Sequence, residues 1–473
     1  MKKIIVIIIV FLSTSCSKDL VDLNVDTKNA TTASGETFFT FGVKSLLDII
    51  SAPAYGDDTM LYMAQLWAQQ VTLVTYTNPA QYYFDGMWSD MYANVLKNLN
   101  ESHSVLSALE PIDDAQAAQI KNQLAIIEIM QVQAMSMLVD TFGDVPYSEA
   151  LDYENVLPKY DDGKTIYLDI IARLDAAIAA IDSSAPGFDK GDPIYSGNAA
   201  MWLKYAQSLK LKLGLRIIDV EPQAGKQAVI EAAPHAFTSN ADNAVMPYLD
   251  ATPNTNPLWI NLELGNRKDV VIAEPFVDTL NVREDPRRDI FFTKINGNFV
   301  GAEYGQVVLF DDFSNYGSLF RDPKLPGILM DYAQVEFLLA EAAERSLIGT
   351  PADAEDHYNK AIEASFEYYN VEGVSDYLSN PLVNYTTATG DWKQKIGTQK
   401  WIALFNQGFE AWTEYRRLDY PVLHAPEGAY INTVPVRSIY PIEEQTLNGR
   451  NYDAASEAIG QDLMTTKLFW DLY

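Results

Sequence analysis

The chain has 473 residues, and its 64 acidic against 34 basic side chains give a formal charge of −30; such a chain repels phosphate backbones, which excludes nucleic acid as a partner. One cysteine in the whole sequence excludes an internal disulfide and an ordinary cysteine-rich zinc site, so stability must come from a packed core. Hydrophobic residues, 48% of the total, are enough to build one, and 27 tyrosines with 8 tryptophans exceed what a plain helical scaffold uses.

Lys2 and Lys3 precede a nine-residue apolar run at 4–12, followed by Ser13, Thr14, Ser15 and Cys16. A positive start, an apolar stretch, small residues and a cysteine are the layout of a bacterial lipoprotein signal peptide. A membrane span needs roughly 20 apolar residues, whereas nine in a helix reach only about 13 Å. Residues 1–15 are therefore expected to be cleaved, leaving Cys16 as a lipid-bearing N-terminus. Loss of Lys2 and Lys3 takes the formal charge from −30 to −32. Residues 16–35, opening Ser17-Lys18-Asp19, read as a flexible tether.

Beyond the tether, 36–473 reads as a single unit dominated by helical periodicity. Helices are expected at about 38–50, 60–71 and 88–109. Ile120, Leu124, Ile127, Ala134, Met135 and Leu138 mark one face of a long helix. Others follow at 166–181, 202–217, 331–345 and 353–369, and along Trp401, Phe405, Gly408, Phe409, Trp412 and Tyr415. The spacing predicts pairs, 88–109 with the helix ending near Asp140 and 331–345 with 353–369. In the second pair Ala342, Ala354, Tyr358 and Ala361 follow a degenerate tetratricopeptide spacing. The fold class is thus all-α, built of tetratricopeptide-like helix pairs. The stretch 233–329, rich in Pro, Gly and Asn, is expected to be an irregular insert of loops and small strands that forms a second, loop-rich face. The chain beyond Pro421 is loop-like, with one short helix near 441–447.

Catalytic signatures are missing. His103, His235, His357 and His424 are scattered and never at metal-ligand spacing. There is no phosphate loop, dinucleotide fingerprint or Gly-x-Ser-x-Gly elbow. Asp57-Asp58, Asp161-Asp162 and Asp311-Asp312 lack the alternation of an EF-hand loop and read as surface acid. No cofactor, metal or catalytic residue is expected.

Several segments together resemble the SusD/RagB family of outer-membrane nutrient-binding lipoproteins, in its compact SusD-like branch. They are Leu23-Asn24-Val25-Asp26, Trp88-Ser89-Asp90-Met91-Tyr92 with Leu96, Asn98 and Asn100, and Asp140-Thr141-Phe142-Gly143-Asp144-Val145-Pro146-Tyr147. The most specific is Gly408-Phe409-Glu410-Ala411-Trp412-Thr413-Glu414-Tyr415-Arg416-Arg417, followed by Tyr420-Pro421. Pro435, Arg437, Tyr440-Pro441, Glu443, Asn448 and Asn451-Tyr452 complete the series in family order. The resemblance implies four tetratricopeptide-like helix pairs under a loop-rich face. It implies a surface-exposed lipoprotein that sits on a TonB-dependent transporter (a SusC-like barrel), binds glycans or in some members peptides, and performs no chemistry. Glu410, Glu414, Arg416 and Arg417 lie within two turns of Trp412 and Tyr415 and are expected to be buried pairs, as are Asp144 and Arg437. The Asp285-Pro286-Arg287 segment is expected to be a structural turn.

Ligand contacts must come from elsewhere. Aromatic rings cover the apolar C–H faces of neutral sugars, and Asn, Asp, Arg and Gln bond the hydroxyls. Tyr76, Tyr82 and Tyr83, beside Asn78 and Gln81, form one candidate group. Trp259, Tyr304, Phe313, Tyr316 and Asn315, with Asn254 and Asn256, form another. The expected ligand is an oligosaccharide. A cationic peptide is the alternative for an acidic surface. A helical glycosidase or a tetratricopeptide interaction scaffold are rivals of a different class.

Overall fold

The computed structural model describes residues 33–52, 61–78, 84–189 and 191–473. Cys16, Tyr82, Tyr83 and Asp57-Asp58 lie outside them. Helix makes up 54% of the structure and the strands are short.

Helix starts follow cap chemistry that the sequence carries openly. α1 (Gly35–Ser51) begins where the Ser34 hydroxyl accepts the Thr37 N–H at 3.2 Å. α2 (Leu61–Trp67) ends early, because Gln69 turns the chain with φ +52° into β1 (Val71–Leu73). A helix through 71, as the periodicity predicts, would forfeit two bonds that hold this corner: Gln69 Nε2 to His424 O at 2.6 Å and Gln70 Nε2 to Trp401 O at 2.8 Å. α3 runs through Asp85–Asp90, a wide turn at Met91–Leu96 and Lys97–Ser107. α4 (Asp114–Phe142) starts at Asp113, whose carboxylate accepts the Gln116 N–H at 2.8 Å, and stops at Gly143 with φ +89°. It is about 43 Å long. It is apolar enough to cross a membrane, but 83% of its apolar window is buried inside the protein; it is the central core helix.

Among the described residues three two-stranded ladders interrupt the helices. The first joins β2 (Val145–Pro146) to β3 (Tyr160–Asp161). α5 (Gly163–Ala180), α6 (Ala199–Ile217) and α7 (Pro222–Ala232) follow, capped by Asp162, Asn198 and an N-terminal proline. The insert contributes β4 (Ala244–Met246), β5 (Val270–Ile272), α8 (Glu274–Val282) and β6 (Gly327–Met330). β5 pairs with β1 and β6 with β4. α9 (Tyr332–Glu344), α10 (Ala354–Tyr368), α11 (Trp392–Ala403), α12 (Gly408–Leu418), α13 (Ile442–Leu447) and α14 (Gly449–Ala458) follow, with a short helix, Val374–Ser379, between α10 and α11.

The helices pack most extensively as α1 with α3, α4 with α5, α6 with α7, and α9 with α10. The expected pairing of α3 with α4 is thus secondary: the two touch, but each has a larger partner. α7 escaped the periodicity. The expected continuous face from Trp401 to Tyr415 is instead split between α11 and α12. The cause is Gly408, where an added Cβ would lie 2.7 Å from Gln65 Cγ and 2.8 Å from Leu61 O. The chain must turn at 404–407 to bring a bare backbone against α2.

The polar core is a chain of ion pairs. Lys212 binds Glu410 at 2.7 Å, Arg216 binds Asp140 at 2.9 Å and Glu414 at 3.0 Å, and Lys400 binds Glu414 at 2.8 Å. Arg417 donates to Glu341 at 2.6 Å and to Glu414 at 2.6 Å. All are buried, as expected for Glu410, Glu414 and Arg417, and Arg437 pairs with Asp462 at 2.7 Å. Arg416 is buried but donates to the backbone oxygens of Asp140 and Val436 at 2.8 Å rather than to a carboxylate, and Asp144 is half-buried and accepts the Gly163 N–H at 2.8 Å. Burial alone would push the Glu414 carboxyl up, but Arg417, Lys400 and Arg216 outweigh it and hold it well below the usual carboxylate range. Asp285 and Arg287 form a second buried pair at 2.7 Å, the structural turn expected there.

Candidate functional site

The two sequence regions that carry the ligand candidates meet through β1 and β5. Val71 stands opposite Ile272 and Leu73 opposite Val270. The ladder is extended by irregular backbone: Val74 N–H donates to Asp269 O at 3.0 Å, and Val308 N–H donates to Val74 O at 3.1 Å. Ala302 N–H donates to Ile272 O at 2.9 Å. Beneath lies a small apolar cluster of Val74, Val271 and Ala302, on which Val308, Phe310 and Phe313 pack.

From this base every second residue of 307–310 turns outward. Val308 and Phe310 are half-buried, whereas Val307 is 73% and Leu309 72% exposed. Tyr76, 70% exposed, follows Val74, which bonds Val308, and Tyr430, 75% exposed, follows Pro426, which packs on Gly305. Lys268 Nζ sits 5.4 Å from the Phe310 ring centroid and 3.4 Å from Asp311 Oδ1. Arg267 pairs with Asp269. The face thus combines exposed apolar and aromatic groups with charged donors and acceptors.

Its support is rigid. Gly305 has φ +80°, and an added Cβ would stand 2.3 Å from Pro426 Cβ. Tyr304 donates its hydroxyl to Leu66 O at 2.7 Å, and Tyr316 donates to Gln65 Oε1 at 2.5 Å while stacking on Phe405 at 5.6 Å. These two tyrosines, expected among ligand contacts, are 8% and 1% exposed. They sit in the core because their rings fill the space between the insert and α2, and they act as pegs under the face.

Tyr76 and Phe313 are brought to the loop face. Asn315 is bonded by Arg321 instead, and Trp259 lies on a neighbouring element. Trp259 is half-buried on a one-turn helix, Pro257–Trp259, that packs on the turn Ser318–Arg321. Arg321 donates to Asn315 Oδ1 at 2.9 Å and to Glu263 at 2.6 Å. Sequence reading missed Val307, Leu309, Lys268 and Tyr430. For the first two a signal existed: an uninterrupted apolar run, 307–310, inside a polar insert, which strand alternation must half-expose. Among the described residues no group of His, Cys, Asp or Glu is placed to hold a metal ion.

Comparison with known proteins places the whole architecture. A chitin-binding protein shares 26% identity, with 93% of this chain and 100% of that one covered at a TM-score of 0.78. A SusD homologue from Bacteroides uniformis shares 25% identity, with 92% and 99% covered at a TM-score of 0.76. A chitin-binding SusD homologue from Flavobacterium johnsoniae matches the fold at 24% identity, with 92% and 98% covered and a TM-score of 0.75. No match to a curated protein was found. The model of the SusD-like family described as starch-binding and associating with the outer membrane matches residues 27–441. With paired helices under a loop-rich face and a family match over nearly its whole length, the chain belongs to the SusD-like family of binding proteins.

Proposed function

We propose that the mature protein is a lipid-anchored, surface-exposed receptor that captures an oligosaccharide on the loop face and passes it to a TonB-dependent transporter. One observation carries the reading: the exposed Tyr76, Val307 and Leu309 stand on a rigid base beside Lys268, Asp311 and Phe310, in a chain of a family described as starch-binding. Ring and aliphatic faces cover sugar C–H surfaces, and the charged groups bond hydroxyls. Phe313, Trp259 and Asn315 extend the surface, and Tyr82 and Tyr83 follow Tyr76 in the chain. Stacking on a few such groups gives affinity of about micromolar to millimolar, which suits a handoff. The anchor is Cys16, and the partner follows from family membership. Binding, with no turnover of the ligand, is the activity.

Calorimetry against glycan and cationic-peptide panels at low and high salt tests this reading. Neutral-sugar binding should change little with ionic strength, whereas peptide capture by an acidic surface should weaken steeply. A steep salt dependence with peptide as the only ligand would replace the glycan reading. Release of reducing ends, abolished by a single carboxylate substitution, would make the protein an enzyme instead. Mass spectrometry of the protein from its native host should find acylated Cys16.

A further inference from the structure

A second concavity lies across the 422–430 strap from the loop face. It is a cleft of about 480 Å³ between the start of α11, the end of α12 and the last residue of the chain, within the usual range of roughly 300–1,000 Å³ for small-molecule sites. Tyr415, Tyr420 and Tyr473 form its aromatic walls, and Asp391, Lys393 and Asp419 its charged groups. The strap begins at Val422 and Leu423, which also line the cleft, and reaches Pro426, which packs on Gly305 of the loop face.

Asp391 caps α11 by accepting the Gln394 N–H at 3.0 Å, but the other two charged groups of this cleft, Lys393 and Asp419, are not used up by the fold. Lys393 Nζ lies 3.4 Å from the centroid of the Tyr473 ring and, among the described residues, forms no ion pair. Asp419, in the left-handed position that ends α12 (φ +60°), receives no side-chain hydrogen bond from the described residues. Behind the lining, Asp471 interacts electrostatically with both Tyr415 and Asp419 and has a buried Oδ2 without a partner; it is not itself a wall of the cleft. Burial pushes the Asp419 and Asp471 carboxyls up and the Lys393 ammonium down, the signs of charged groups short of solvation.

An anion entering the cleft would meet Asp391 and Asp419, and a cation would meet Lys393. A neutral polyol meets neither conflict. One hydroxyl donates to Asp419, its neighbour accepts from Lys393, and the pyranose C–H face lies on a tyrosine ring. We propose that this cleft is a second saccharide subsite, which takes one or two sugar units of a glycan and is distinct from the loop face. The ligand class rests on the glycan reading above; the site rests on the cleft itself.

The test is calorimetry with N-acetylglucosamine and glucose oligomers of about two to six units, an oligomer spanning several contacts being the natural probe of a two-part site. Tyr473→Ala and Lys393→Met alter half-exposed or exposed side chains and leave the core intact. Each should weaken the longest bound probe by about fivefold or more, while Lys393→Arg, which keeps the donor, should bind as wild type does. Tyr76→Ala reports on the loop face separately, and its combination with Tyr473→Ala should abolish measurable binding. If both cleft variants bind every probe as wild type does, the subsite is overturned while the loop-face reading stands. If Tyr76→Ala is neutral and the cleft variants lose binding, the cleft stands and the loop face falls. If wild type binds no probe in either series, both are overturned.

Discussion

Asp331 offers a sharp test of how burial acts in this fold. Its Oδ1 accepts the Gln334 N–H at 2.8 Å to cap α9, and its Oδ2 accepts from Gln407 Nε2 at 2.6 Å. The residue is 4% exposed, and the cation that attracts it, Lys400, is already bonded to Glu414. Burial outweighs both hydrogen bonds and pushes the carboxyl up from 3.8 to about 6. A raised carboxyl favours the proton in the folded state. The penalty is therefore absent below about pH 4, grows as pH rises, and is complete above about pH 6. Two pH units at about 1.4 kcal/mol each set a ceiling of ~3 kcal/mol. Asp331→Asn keeps the Oδ1 cap and removes the charge. Its new N–H group faces Gln407, whose amide can turn over and offer Oε1, an atom that has no partner in the wild type. The variant should be more stable than wild type at pH 7.5 by about 1–3 kcal/mol, and the gap should close by about pH 4. Urea unfolding of both proteins across that range reads the difference directly, and contributions from other raised carboxyls, such as Asp144 at about 6, cancel in it. A pH-independent offset, or a variant less stable at pH 7.5, would refute the reasoning.

Other consequences follow from the same geometry. Glu414→Gln leaves Lys400, Arg216 and Arg417 short of a buried counter-charge and should lower stability by about 3–5 kcal/mol in calorimetric melting; a loss under about 1 kcal/mol would mean water enters the network. Gly305→Ala forces a Cβ into Pro426 at a left-handed position and should impair ligand binding by more than it lowers the melting temperature, since it deforms the loop face locally. Tyr304→Phe removes the bond to Leu66 and should destabilise by about 1 kcal/mol with little effect on affinity, whereas Tyr76→Ala should do the opposite. Equal effects of the two on affinity would show that Tyr304 serves as more than a peg.

What the sequence determined by itself is what local rules govern. Apolar periodicity alone placed α1, α5, α6, α9 and α10 within a few residues and marked the core face of α4, because a helix satisfies its hydrogen bonds within its own segment. The crowding of Glu410, Glu414 and Arg417 around Trp412 announced a buried ion network for the same reason: helical spacing puts them beside core positions. Arg416, expected in it, instead bonds backbone oxygens. What only the tertiary structure decided is everything carried by irregular backbone. The break between α11 and α12 comes from Gly408 meeting α2, a contact across more than three hundred residues. Around Tyr304 and Tyr316 no period distinguishes inside from outside, so they read like Tyr76, yet the first two fill the gap above α2 and the third stands in solvent. The loop face exists because β1 pairs with β5 and Val308 bonds Val74, and the cleft because the end of the chain returns to α11 and α12. Such pairings follow from long-range packing, which joins segments by their shape and their unmet hydrogen bonds and leaves no spacing in the sequence to read.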